Sequence, residues 1–225
     1  RFTFEKFAGA DPVLTTAMKS VGEVMSVGAT FPESLQKALR SMEIGLTGLD
    51  PIKIPEYGEG GDSDAILAAL ARPTPDRLLL IAAAFRADIE LEKIHQVTGY
   101  DHWFLEQISG IVSVEATVKT GGLPSDAASW RVLKAAGFSD ARLSSLTGID
   151  VFEVTGERHR HGVHPVYRRV DTCAAEFAAQ TCYMYSTYET QFPSGLPASE
   201  SNPNDTKKII ILGSGPNRIG QGIEF

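Results

Sequence analysis

The chain has 225 residues, 43% hydrophobic and 22% charged, with a formal net charge of −7. That is enough for one or two domains with real cores, and the acidic balance with scattered basic residues argues against a nucleic-acid or membrane surface as the main partner. No run approaches the roughly 18 apolar residues of a bilayer span. RFTFEKF lacks the apolar core of a signal peptide, and Cys173 and Cys182 give no disulfide framework, so a reducing cytoplasm is the reading.

Weak alternation from Phe2 to Phe7 suggests a short strand before a turn at Gly9 to Pro12, and KSVGEVMSVG suggests a short helix or a core edge. TFPESLQKALRSMEIG is clearer. Thr30 caps a helix, Glu33 completes a capping box, Pro32 falls in the first turn, and Leu35, Ala38, Leu39 and Met42 share one face before Gly45. Residues 50–63 read as a surface loop. DSDAILAALARP is a short helix stopped by Pro73. TPDRLLLIAAAFRAD starts with Thr74 as cap and Pro75 as first helical residue, and it is apolar most of the way round, hence buried.

ELEKIHQVTG is a further helix. Asp101 caps DHWFLEQISGIVSVEATVKTG, where Trp103, Phe104, Ile108 and Ile111 suggest a core face. The weaker alternative makes Trp103 a surface anchor at a contact between chains. SDAASWRVLKAAG, SDARLSSLTG and DVFEVTGERH add three more helices, the last with Asp150 and Glu153 in capping-box positions. The span from 29 to about 160 is thus about seven short capped helices, and the fold class is mainly α. YMYSTYET favours an extended segment, FPSGLPASESNPNDT a polar linker, and IIILG a strand of the kind covered on both faces in parallel sheets.

The ending KKIIILGSGPNRIGQGIEF sets glycines at 213, 215, 220 and 222 with Arg218 between them. It is neither a dinucleotide fingerprint nor a phosphate-cradling loop with a terminal Lys-Ser/Thr. A phosphate or substrate site and a tight turn packed on a neighbour both remain open. His159, His161 and His164 match no common metal spacing, the YMYSTYE tyrosines lack a basic surround, and the adjacent Lys19 and Ser20 lack catalytic spacing. Glu23, Arg40 and Glu43 suit surface or interface charges. The absence of an initiating Met and a glycine loop arriving so late suggest a piece of a longer protein.

FEKFAGAD, MKSVGEVMSVG, ESLQKALRSME, GYDHWFLEQI, LKAAGFSDARL, HPVYRRVDTCAAEF, YMYSTYE and LGSGPNRIGQGIEF occur in order along essentially the whole chain. Together they resemble the large subunit of carbamoyl-phosphate synthetase. The resemblance implies a helical oligomerisation domain flanked by truncated α/β pieces of two ATP-grasp halves. Residues 1–28 would end the first (carboxyphosphate) half, 29–206 would form the oligomerisation domain and connecting segment, and 207–225 would open the second (carbamoyl phosphate) half. It implies a ligase that, when whole, makes carbamoyl phosphate from bicarbonate, glutamine-derived ammonia and two ATP, using magnesium or manganese, for arginine and pyrimidine biosynthesis. Its partners would be the rest of the large subunit, a small glutaminase subunit and further copies. For this chain it implies no catalytic residue, metal or cofactor of its own, and places Gly213, Gly215, Arg218, Gly220 and Gly222 near the carbamate route. The rival readings are a free-standing helical interaction module and a small enzyme built on the glycine loop.

Overall fold

The structure, a computed structural model, describes residues 9–16, 22–54, 58–59, 62–190, 198–213 and 217–218. Among them a short strand β1 (Gly22–Glu23) precedes helix α1 (Phe31–Ser41), and β2 (Lys53–Ile54) pairs antiparallel with β3 (Gly58–Glu59) inside the expected 50–63 loop. Seven helices follow: α2 (Ser63–Ala71), α3 (Arg77–Arg86), α4 (Leu91–Thr98), α5 (His102–Gly121), α6 (Ala127–Ala135), α7 (Asp140–Thr147) and α8 (Val151–Arg160). Two more antiparallel pairs close the chain. β4 (Val166–Arg169) pairs with β5 (Met184–Thr187), with Val166 opposite Thr187, and β6 (Asn217–Arg218) pairs with β1.

The helices start where side-chain oxygens meet orphan N–H groups. Thr30, Asp62, Asp101, Asp126, Ser139 and Asp150 each accept such a bond. Gly99 and Gly148 end α4 and α7 in left-handed conformation, with φ 69° and 74°. α5 is the axle, packing on α1, α3, α4 and α7. Leu105 and Ile108 of α5 meet Leu70, Ile81, Ile94, Trp130, Leu143 and Val154 in a core from which water is excluded. α3 is buried through Leu79, Leu80, Ile81, Ala82 and Ala84, as its all-round apolar pattern indicated.

Four expectations are corrected. α3 begins at Arg77 rather than at Pro75, because residues 74–77 close a turn through Arg77 N–H to Thr74 O at 3.2 Å. Residues 22–28 hold the short strand β1 and no helix, in keeping with glycines at both ends. Ile209 to Leu212 are non-strand and 84–92% exposed; an all-apolar strand needs neighbours at its edges and cover on both faces, and the described residues supply neither. Trp103 and Phe104 are surface residues, 49% and 41% exposed, not core. The buried stripe of α5 runs through Leu105, Ile108, Val112, Glu115 and Val118, and at about 100° per residue Trp103 lies about 200° round the helix from Leu105. The buried tryptophan is Trp130.

A carboxylate sits within that buried stripe. Glu115, 2% exposed, takes Arg86 through Nε at 3.0 Å and Nη2 at 2.8 Å, and Arg142 Nη2 at 2.8 Å. Arg142 also reaches Asp50 at 3.1 Å, while Arg86 donates to Leu49 O. α3, α5, α7 and the turn after α1 therefore meet at one ion cluster. Burial alone would raise the Glu115 pKa, but the hydrogen bonds and charges of Arg86 and Arg142 overcome it and hold the group at about 2. A second cluster joins α6, α7 and α8. Asp140 accepts from Lys134 Nζ at 2.7 Å, Arg158 Nη2 at 2.9 Å and Thr155 Oγ1 at 2.9 Å. The Tyr188 ring lies 5.1 Å from the Lys134 ammonium.

Two outcomes follow from these placements. Trp130→Ala removes a fully buried ring and lowers stability by about 3–5 kcal/mol, whereas Trp103→Ala costs about 1 kcal/mol or less. Paired urea melts check this, and equal losses would return Trp103 to the core. Glu115→Gln leaves two guanidiniums short of their counter-charge and costs about 3 kcal/mol at neutral pH. Because the folded pKa is depressed from 4.5 to about 2, the stabilisation is present above about pH 4.5 and lost as pH falls toward 2. The gap between wild type and Glu115→Gln in urea midpoint should close over that window.

Candidate interaction surface

The surface is built outward from the first turn of α1. Thr30 Oγ1 accepts the Glu33 N–H at 3.3 Å, the expected cap. The return bond differs: Glu33 Oε2 accepts from Ala29 N at 2.7 Å, one residue before the cap, and from Thr187 Oγ1 of β5 at 2.7 Å. Lys37 pairs with Glu33 Oε1 at 3.2 Å and donates to Val27 O at 3.0 Å and to Ser186 O. One buried carboxylate and one lysine thus tie the segment entering the helical body to the segment leaving it. On the inward side Gln36 Nε2 donates to Ala136 O and Arg40 Nη1 to Gly137 O, each at 2.7 Å. Gly137 has φ +90°, and a Cβ there would lie 2.9 Å from Glu33 Cα, so the approach of α6 to α1 requires glycine. The buried residues of α1 are therefore the polar Glu33 and Gln36, while Leu35 and Leu39 pack half-buried at the core's edge.

Phe31, the first residue of α1, meets the start of α5. Its ring lies 5.4 Å from Trp103 and 5.3 Å from Phe104, which are themselves 5.0 Å apart, all edge-to-face. The cluster presents much of Trp103 and Phe104 to solvent. Polar groups border it. His102 is 3.1 Å from Glu92 and packs at a tilt against His95, ring centres 4.1 Å apart, and the hydrogen bond from His102 comes first among the causes that lower the Glu92 pKa.

The glycine loop singled out in the sequence falls mostly outside the described residues. Gly215, Gly220 and Gly222 fall outside the described residues. Arg218 is known by its backbone alone, paired with Gly22 in the short β1–β6 ladder. Gly213 is exposed, with nothing among the described residues within 4 Å of where a Cβ would stand. Cys173 and Cys182 are both free thiols. His159 stacks on His164 at 4.7 Å and His161 bonds Glu157, while no group of three or more metal-ligating side chains comes together among the described residues. No helix among them is long and apolar enough to cross a membrane. The feature that sequence reasoning missed is the Glu33–Lys37 junction; the capping-box pattern marked Glu33, but nothing local pointed to Ser186 and Thr187.

By architecture this is a helical scaffold with braced connections at both ends and an uncovered aromatic face. The family model described as carbamoyl-phosphate synthetase large chain, oligomerisation domain, matches residues 23–162. The carbamoyl phosphate synthase large chain of Brucella melitensis is 60% identical over 225 residues, covering 100% of this chain and 19% of that protein. Those of Pseudomonas aeruginosa and Neisseria meningitidis serogroup B are 52% and 51% identical, again over 100% of this chain and 20% of theirs. The chain belongs to the carbamoyl-phosphate synthetase large-chain family, in the part that carries the oligomerisation domain. It spans about a fifth of the length of these relatives.

Thr187→Val removes a hydroxyl that donates to a buried carboxylate while leaving the Ala29 and Lys37 contacts. Hydrogen bonds to charged groups contribute about 1.5–3 kcal/mol. Hydrogen exchange should show β5 amides opening sooner in the variant, with α3 and α5 unchanged. Equal acceleration in the helices would mean that the junction supports the whole body rather than the connection.

Proposed function

We propose that the chain is the connecting and self-associating segment of an ATP-dependent ligase that, when whole, forms carbamoyl phosphate from bicarbonate, glutamine-derived ammonia and two ATP. The observation that carries this is the match of the helical body to an oligomerisation domain, joined to an aromatic face that the described residues leave uncovered. Alignment of the entire chain inside much longer relatives favours this over a free-standing interaction module.

In this reading the segment holds two catalytic halves in register and joins copies of the large subunit; it performs no chemistry itself. ATP and magnesium or manganese would be held by other parts of the large subunit, ammonia would come from a small glutaminase subunit, and the product would serve arginine and pyrimidine synthesis in the cytoplasm. Residues 1–28 would close the first half and 207–225 would open the second. Gly213, Gly215, Arg218, Gly220 and Gly222 would serve the second half near the carbamate route. Phosphoryl transfer needs metal ions and cations converging on phosphates, whereas Arg86, Arg142, Lys134 and Arg158 are engaged with Glu115 and Asp140 in structural clusters.

The purified chain, incubated with ATP, bicarbonate and ammonia, should give no carbamoyl phosphate above a protein-free blank. Sedimentation equilibrium should show reversible self-association into the high micromolar range. Turnover surviving a control for contaminating enzyme would overturn the non-catalytic part, and a strictly monomeric chain would overturn the self-associating part.

A further inference from the structure

We infer that Phe31, Trp103 and Phe104 form the centre of the contact through which two copies of this chain pair about a twofold axis; this rests on the self-association reading above and names its surface. Three features single this face out. The first is composition: two neighbouring aromatic side chains, Trp103 and Phe104, are each more than two-fifths exposed, backed by the ring of Phe31. Aromatic residues are enriched at contact centres, where they bring large area at low conformational cost. Other exposed apolar side chains on the helical body, such as Val132 and Phe152, stand apart on different helices, α6 and α8.

The second is rigidity. Asp101 bonds the Trp103 N–H at 2.9 Å, and Leu105 and Ile108, within the next turn and a half, have no exposure. Phe31 sits on the first turn of α1, which Thr30, Glu33 and Lys37 brace. The rings are thus presented by two helices whose positions are already set, so pairing orders little that was free.

The third is shape and rim. A twofold contact brings the same patch from both sides. Rings in edge-to-face array offer both edges and faces, and such a set can meet its own copy with indole or phenyl edges against opposing faces. The border carries Glu92, His95 and His102, a polar rim of the kind that surrounds a dry centre. The second copy is favoured as occupant because the matching family model is described as an oligomerisation domain. The groove between the end of α5 and α6 is the rival candidate: Val114, Val118, Leu123, Val132 and Leu133 make it apolar, but no aromatic side chain lines it.

The chain contains two tryptophans. Trp130 is fully buried, so changes in acrylamide quenching on association report Trp103, and the Trp103→Phe difference spectrum isolates its signal. As concentration rises from sub-micromolar to high micromolar, Trp103 emission should shift blue and become resistant to quenching in step with the sedimentation isotherm. Trp103→Glu should weaken association at least about tenfold with an unchanged urea midpoint of the monomer, because two like charges meet at the axis. Val132→Glu should leave association unchanged. If the chain associates while Trp103 stays equally quenchable, or if Val132→Glu and not Trp103→Glu breaks the dimer, this face is the wrong one and the self-association reading stands. A second large-chain segment as the true occupant would give the same wet Trp103 in the associated chain. A chain that is monomeric throughout overturns both readings.

Discussion

The position of Glu115 constrains the rest of the helical body. A carboxylate at 2% exposure is tolerable only with its counter-charges in contact, so α3 must bring Arg86 and α7 must bring Arg142 to one point on α5. Burying such a cluster adds little net stability over apolar residues of the same volume. It does fix rotation. Once Glu115 faces inward, Leu105, Ile108, Val112 and Val118 follow on the same side of α5, and Trp103 is turned to the surface. The exposure of Trp103 therefore follows from the phase of α5; Phe104 lies about 20° round the helix from Glu115, so its exposure belongs to the open first turn of α5 and not to that phase.

The Asp140 cluster works with different energetics. Burial lowers the Lys134 pKa to about 8 despite Asp140 beside it, so holding this ammonium charged at neutral pH costs stability. Since the folded pKa lies below the unfolded one, that cost fades as pH rises from about 8 toward 10.5. What Lys134 gains is geometry: its ammonium donates to Phe138 O at 2.6 Å and to Asp140, closing the turn between α6 and α7. Asp140, drawn down to about 2 chiefly because the Arg158 bonds and the Lys134 charge overcome its burial, is the shared acceptor that makes three helices one unit.

The helices were legible because their signals are local. Asp62, Asp101, Asp126, Ser139 and Asp150 cap within three residues, and Gly99 and Gly148 terminate by their own conformational freedom. The clusters were not legible, because Arg86 and Arg142 lie 29 and 27 positions from Glu115, and Thr187 lies 154 from Glu33. Trp103 was misplaced for the same reason. Of its neighbours, Ile108 and Ile111 do lie on the buried stripe with Leu105, Val112 and Glu115, and the local pattern does not show that Trp103 falls outside it. The IIILG run is non-strand here because an apolar strand is defined by neighbours, and local pattern carries no information about whether they are present.

The core of α2 to α8 also takes in Leu49 and Ile54, with Leu35, Leu39 and Tyr188 packed against it, while both ion clusters close within residues 49–158. The connecting strands lean on that body. β5 is held by Glu33 and Lys37, and β4 is followed along its length by residues 198–200, through Glu200 N–H to Tyr167 O at 2.8 Å and Glu200 Oε2 from Arg169 N at 2.7 Å. Arg168 clamps the same region by pairing with both Glu189 and Glu200. The β4–β5 pair thus meets α1 through one carboxylate and one lysine, and Phe31 on that same first turn meets the aromatic face.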